Sequence, residues 1–476
     1  MSTADLSFGP DQKPSSHELG GSSPYAMNVT IDESGVVRRR PGIQLYSAAP
    51  SSVIDAMGIY SVYEAVTGQL FVVGGGGLRN IYQIVGGVAI SRSSNGIQLT
   101  GARRPVVAET DAMIVYADGG VPVKVPLLSP AAALLGGSPP QSTHVVAMNA
   151  RLLMNDISNP SHIRASAVQL GTMDTTGHET WSGLTAGLLQ GEARPDPVVS
   201  LNEQSGELYV FGSRSLQSFL PDPLTIYSAG VTVDSGLVAP YSSIKVSDKS
   251  LAWMDQERRF VIGDARGADV ISQPIQNALH DTAVASDCYG YRVALGYLDA
   301  LVWTLPTDGR TFVYSGGWSQ WCQHLNGAIM PFPVLSHFRR QSGSENLVGL
   351  TDGRLCRLTV DAPDDLGTPI TASVMTGFYR HETSLKKKTW SVKVALMRGT
   401  GASSGTVAGN LYYRDDYGSW SDGIPVSVGS PGDSCPVVDL GTIGWPYRMR
   451  QWRWEFSAQS SYALASVQEE YEVCAT

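Results

Sequence analysis

An all-β protein, a β-propeller of six or seven blades followed by a C-terminal β-sandwich, is the fold class that the sequence predicts. Three observations carry it. The 476-residue chain has 51 glycines and only 16% charged residues, against roughly 25% in ordinary globular chains. That composition suits many short strands joined by tight turns. Short β-rich runs recur as strand–turn–strand units as far as about residue 360, and longer alternating runs replace them after about residue 368.

The recurring units include "QLFVVGGGGLRNIYQIV" (69–85), "DAMIVYADGGVPVKVPL" (111–127) and "DALVWTLPTDGRTFVYS" (299–315). With Val72, Val115, Leu153, Val210, Trp253, Val302 and Val348 as markers, the steps are 43, 38, 57, 43, 49 and 46 residues. A recurrence of about 40–50 residues is the period of propeller blades. One four-stranded blade cannot bury both faces, whereas a closed ring does so and leaves few open edges. The period leaves six or seven blades open, because the seventh unit could close the ring with an N-terminal strand. The helical pattern is confined to a short stretch within 273–284, with Ile275, Leu279 and Ala283 on one side. Residues 127–141, "LLSPAAALLGGSPPQ", read as a surface loop.

In the C-terminal region, "TWSVKVALM" (389–397) places Trp390, Val392, Val394 and Leu396 on one face, and "RQWRWEF" (450–456) does the same for Trp452, Trp454 and Phe456. Longer alternating strands with Gly/Ser loops predict a separate sandwich. The expected division is residues 1–50 as an N-terminal arm with closing or joint strands, 51–368 as propeller and 369–476 as sandwich.

The formal charge is −9, from 34 Lys and Arg against 43 Asp and Glu, which argues against a dedicated nucleic-acid binder with a basic face. No secretory signal or transmembrane helix is expected. The five cysteines are widely spaced without C-x-x-C, as in thiols of a reducing compartment. Catalytic motifs lack their context. Gly401–Gly405 fits G-x-S-x-G but sits in a glycine-rich link without a following helix. His178-Glu179 and His381-Glu382 lack a second histidine four residues after the first. Asp415-Asp416 with Trp420 resemble an Asp-box turn, which opens an alternative reading as a propeller glycosidase or sialidase-like enzyme, yet adjacent acids in a turn are usually turn formers. A carbohydrate-binding role would use Trp318, Trp321 or Trp420, although large aromatics mostly bury. No metal or other cofactor is expected.

The stretch "MNVTIDESGVVRRRPGI" (27–43) is the least ordinary in the chain. Arg38, Arg39 and Arg40 read either as a phosphate contact, as a solvated or salt-bridged strand end, or as a bidentate grip on carboxylates of the same or a neighbouring subunit. Pro41 and Gly42 supply a rigid exit toward the first blade. These five residues are the candidate structural or intersubunit joint.

That stretch resembles the N-terminal signature of the tail nozzle, or packaged-DNA stabilisation, proteins of short-tailed bacteriophages, with Asn28 a few residues before Gly35-x-x-Arg38-x-x-Pro41-Gly42. The segment 193–219, with Pro195-Asp196 and a later "FGS" turn, is similar to another part of that family. So are "GGWSQW" (316–321) and the C-terminal "YRMRQWRWEFSAQSSYALASVQEEYEV". The resemblance covers roughly residues 25–475. It implies a non-enzymatic virion protein, assembled in the host cytoplasm as a hexameric ring at the end of the tail. Such a ring contacts an adaptor ring and tail fibres or spikes, helps retain packaged double-stranded DNA and conducts it during ejection. A low-charge, acidic protein suits a conduit, since every phosphate neutralised by Lys or Arg adds friction.

Overall fold

The computed structural model describes residues 2–6, 26–32, 34–46, 54–93, 95–171, 175–183, 186–190, 196–222, 226–296, 298–325, 328–340, 345–397, 407–427, 437–456 and 463–474. Five separate four-stranded antiparallel sheets follow one another along the chain, beginning at Ile59–Glu64, Val106–Glu109, Val145–Met148, Val198–Gln204 and Ile244–Lys245. A sixth unit runs through Tyr289–Leu295, Leu298–Leu305, Arg310–Tyr314 and Trp318–Gln320. The seventh takes Val334–Arg339, Asn346–Leu350 and Leu355–Thr359 and borrows its outer strand, Gly42–Leu45, from the N-terminus. The described residues therefore form a propeller of seven blades, closed by a strand from the far end of the sequence.

All seven sequence markers fall in the second strand of a blade and are buried. A second strand is covered on both faces by neighbouring blades, so its apolar run is nearly continuous, as in Met113–Ala117, where every residue is buried. Seven apolar clusters occupy the interfaces between successive blades, the last joining the seventh blade to the first. The short helix forms as a 3-10 turn, Gln273–Ile275, followed by Gln276–His280, and buries Ile275 and Leu279 between the fifth and sixth blades.

The stretch 127–141 is not wholly a loop. Ala133–Leu134 forms the outer strand of the second blade, and two residues are too few to show a period.

The sandwich differs from the sequence expectation in two respects. It is not separate, because Trp318–Gln320 of the sixth blade pairs in parallel with Ala26–Met27, which continues into Ala372–Met375, Arg450–Phe456, Val407–Asp415 and Ile424–Ser427. It is also not purely C-terminal. The opposing sheet sets Ser2–Leu6, Val29–Ile31 and Val37–Arg39 beside Ala463–Val473 and Lys387–Met397. Val29, Val37, Val392, Leu396 and Val467 of that sheet pack on Ala372, Leu411, Trp452, Trp454 and Phe456 of the other. Trp390 does not share the face of Val392. A bulge between Thr389 and Ser391 turns it outward, 36% exposed, where its indole N–H donates to Glu472 Oε2 at 3.1 Å.

Candidate functional site: the joint between propeller and sandwich

The N-terminal stretch passes through both domains within twenty residues. Ala26–Met27 lies in one sandwich sheet and Val29–Ile31 in the other. Asn28 makes the switch with φ of 55°, a left-handed conformation that asparagine tolerates better than most residues. The hairpin then turns at Asp32, whose Oδ1 accepts the Ser34 and Val36 amides, each at 3.0 Å. It returns as Val37–Arg39 and leaves through Pro41 into the propeller strand Gly42–Leu45. No larger residue fits at Gly42, since a Cβ there would collide with the carbonyl oxygens of Ala362 and Asp364 in the linker to the sandwich.

Arg40 is 1% exposed, and all five of its N–H groups are used. Nε donates to Asn28 Oδ1 at 2.9 Å, Nη1 to Pro41 O and Asp365 Oδ1 at 2.9 Å each, and Nη2 to Cys322 O at 2.9 Å and Asp365 Oδ2 at 2.5 Å. Its guanidinium also lies 4.8 Å from the Phe332 ring centre. Asp365 Oδ1 accepts in addition the Ile43 amide at 3.2 Å. A buried charge is tolerable only when paired and fully hydrogen-bonded, and this pair meets that condition. The two neighbouring arginines do different work. Arg39 donates to the carbonyls of Pro363 and Ala362 at 2.9 Å each. Arg38 pairs through its backbone with Thr30 and lines a cleft against the sixth blade with Asp32, Asp299 and Tyr314.

Asn28 ties further segments to this point. Its Oδ1 accepts the Cys322 amide at 2.8 Å, its Nδ2 donates to Thr371 O at 2.9 Å, and its own amide donates to Gln320 O at 2.8 Å. The "WSQW" run grips the same strand, with Ser319 Oγ and Trp321 Nε1 both donating to Val29 O, at 2.7 and 3.2 Å. Motifs scattered through the sequence thus meet in space. The segment 193–219 is instead tied within itself, since Asp196 accepts the amides of Ser213, Arg214 and Ser215 at 2.8, 2.7 and 3.1 Å and so fixes the "FGS" turn. Burial opposes ionisation of Asp196, but these bonds and the Ser213 hydroxyl hold its pKa below the ordinary carboxylate value.

A second buried network lies inside the sandwich. Glu469, 0% exposed, accepts from Thr389 Oγ1 at 2.5 Å, Tyr447 OH at 2.6 Å and Trp452 Nε1 at 3.3 Å. His381 Nε2 stands 3.4 Å away. Arg450, also buried, forks onto Asp415 with Nε and Nη2 at 2.6 and 2.8 Å.

The remaining sequence candidates have structural partners. Asp415 is engaged by Arg450 as above, and Asp416 Oδ1 accepts the amides of Arg448 and Met449 at 3.1 and 2.9 Å. Trp318 and Trp321 are buried, while the Trp420 ring centre lies 4.9 and 4.7 Å from the guanidinium groups of Arg414 and Arg453. Glu179 pairs with Lys124 at 2.6 Å. Gly401–Gly405 and Cys435 lie outside the described residues. Among the described residues, no cluster of three or more His, Cys, Asp or Glu side chains could hold a metal ion, and no helix is long and apolar enough to cross a membrane.

Sequence reasoning singled out the arginines but missed Asp365, Cys322, Phe332 and Thr371. Asp365 sits in "DAPDDLG", which reads as an ordinary turn, and nothing local marks it as a partner 325 residues from Arg40.

No family model matches the chain, and no curated protein does. Among solved structures it is similar to the WD40 β-propeller domain of Doa1, at 13% identity and TM-score 0.40, over 67% of this chain and 96% of that one. YCF48 bound to D1 peptide matches at 13% identity and TM-score 0.40, over 68% and 100% of the two chains. Kluyveromyces lactis Hsv2 matches at 12% identity and TM-score 0.34, over 63% and 97%. Likenesses this distant concern the fold alone.

Proposed function

We propose that the chain is a non-enzymatic structural protein of a bacteriophage virion, a tail nozzle subunit that assembles as a hexameric ring, retains packaged DNA and conducts it during ejection. The observation that carries the reading is the convergence of two of the segments on which the family resemblance rests, 27–43 and 316–321. Asn28, Arg40 to Gly42 and the "WSQW" run form one interlock between propeller and sandwich. A sequence signature is expected to be retained where several segments depend on the same few side chains, and a ring subunit bearing axial load needs its two domains fixed to each other. In this reading the arginines serve the subunit and do not grip DNA, since Arg40 is enclosed and Arg39 is turned onto linker carbonyls.

The test is negative-stain imaging of the purified chain and of phage tails, which is expected to give six-fold rings with a central channel. Absence of the chain from virions would sink the proposal. Replacing Arg38, Arg39 and Arg40 together with alanine is expected to abolish ring formation. Rings that still formed, with only DNA retention or ejection altered, would return these residues to a phosphate-binding role.

A further inference from the structure

One end of the propeller axis, where the innermost strands of the blades begin, opens into a cleft of about 850 Å³. Tyr60 and Arg79 of the first blade line it. So do Arg103 and Arg104 on the approach to the second, Tyr241 before the fifth and Asp287 before the sixth. Arg104 crosses the axis. Its guanidinium lies 3.6 Å from the Tyr289 ring centre in the sixth blade and donates to the Leu335 carbonyl in the seventh. Arg79 is stacked in the same manner, 3.8 Å from the Tyr60 ring centre, with Nη1 donating to Arg103 O at 2.6 Å.

The cleft is built and incompletely satisfied. Arg79 is 6% exposed, yet its Nε–H has no hydrogen-bond partner, and neither do the buried Tyr241 hydroxyl and Asp287 Oδ1. Buried polar atoms are rarely left so, because each unsatisfied one costs about 1–3 kcal/mol. Among the described residues no carboxylate forms an ion pair with Arg79, Arg103 or Arg104. Burial lowers the pKa of Arg79, only partly offset by Tyr60 and Asp118. Burial likewise pushes the Tyr241 phenol up to about 12, so it stays a donor at neutral pH. Arginine forks match the two oxygens of a carboxylate, whereas Asp287 Oδ1 can only accept.

We infer that this axial cleft binds a carboxylate-bearing ligand that carries a nearby O–H or N–H donor (a hydroxyl, an amine or a peptide amide), with Arg79 and Arg103 on the carboxylate, Tyr241 donating beside them and Asp287 accepting from the second group. The carboxylate belongs either to a small hydroxy or amino acid or to an acidic side chain on a loop inserted by another protein. Neither source depends on the nozzle reading.

Isothermal titration of the full chain with citrate, with a hexaglutamate peptide and with inorganic phosphate, at matched ionic strength, tests the inference. Saturable binding of citrate or hexaglutamate is expected, tighter than phosphate. Citrate alone points to the free acid and hexaglutamate alone to the inserted side chain. Arg103→Ala, at an exposed position, is expected to weaken binding at least tenfold without shifting the melting temperature of the free protein. Tyr241→Phe is expected to weaken it by a smaller factor. Absence of saturable binding by either carboxylate probe overturns the inference. So does binding that Arg103→Ala leaves unchanged, or phosphate binding as tight as that of the carboxylates.

Discussion

Arg40 and Asp365 illustrate what a single buried pair does when every donor has an acceptor. Removing one member strands the other as an unpaired buried charge, which costs about 3–5 kcal/mol. Arg40→Ala is accordingly expected to lower the urea midpoint by the equivalent of that loss. Arg40→Lys is expected to recover only part of it, because an ammonium cannot reach Asn28, Cys322 and both oxygens of Asp365 together. Full recovery by lysine would mean that the fork geometry is unimportant.

Histidine burial adds a pH response of known sign. His144 stacks on Tyr241 with ring centres 5.2 Å apart and places Nε2 3.1 Å from Pro240 O. Burial pushes its pKa down to about 4, and burial does the same to His337. The folded state keeps both neutral while the unfolded chain takes up protons below about pH 6.5. Their contribution to stability is therefore complete above pH 6.5 and lost as pH falls toward 4, on the order of 3 kcal/mol for His144. Glu469 acts further down. Burial opposes its charge, but hydrogen bonds from His381, Thr389 and Tyr447 and the charge of Arg450 hold its pKa below the ordinary value. Its contribution is present above about pH 4.5 and lost below. Denaturation series from pH 7 to 4 are expected to show the loss, and His144→Gln to flatten it. An unchanged slope would exclude His144 as a source.

At the level of elements, legibility follows from how a strand is covered. The second strand of each blade is buried on both faces, so runs such as "FVV" at 71–73 and "MIVYA" at 113–117 stand out. Outer strands such as Ala133–Leu134 carry no such pattern. The strand Lys387–Met397 was legible only beyond its bulge, because one inserted residue reverses the alternation for everything before it. The same bulge separates two tryptophans that the sequence treats alike. Trp452→Ala is expected to destabilise the sandwich by about 3–5 kcal/mol, as for a buried aromatic, whereas Trp390→Ser is expected to cost under about 1 kcal/mol. Comparable losses in thermal denaturation would mean that Trp390 faces the core. The joint was half legible. Three arginines before Pro-Gly mark a special place, but contacts hundreds of residues away leave no trace beside them.

Across the whole molecule, the N-terminal segment closes two structures at once. Pairing Gly42–Leu45 with Leu355–Thr359 shuts a loop of roughly 310 residues, whose length-dependent entropy cost is about 5 kcal/mol. A four-residue strand does not offset this alone, so the Arg40–Asp365 pair and the Gln320–Asn28 bond bear on ring closure as much as on the sandwich. Sixth blade and sandwich also share one continuous sheet, which should couple their opening. Hydrogen exchange on the Arg40→Ala chain tests this directly. Protection is expected to fall together in Leu355–Thr359 of the seventh blade and Ala372–Met375 of the sandwich, while Met113–Ala117 and Arg151–Asn155, far around the ring, keep theirs. A fall confined to one domain would show that the two close independently, and a uniform fall would show that the ring has no local weak point at its seam.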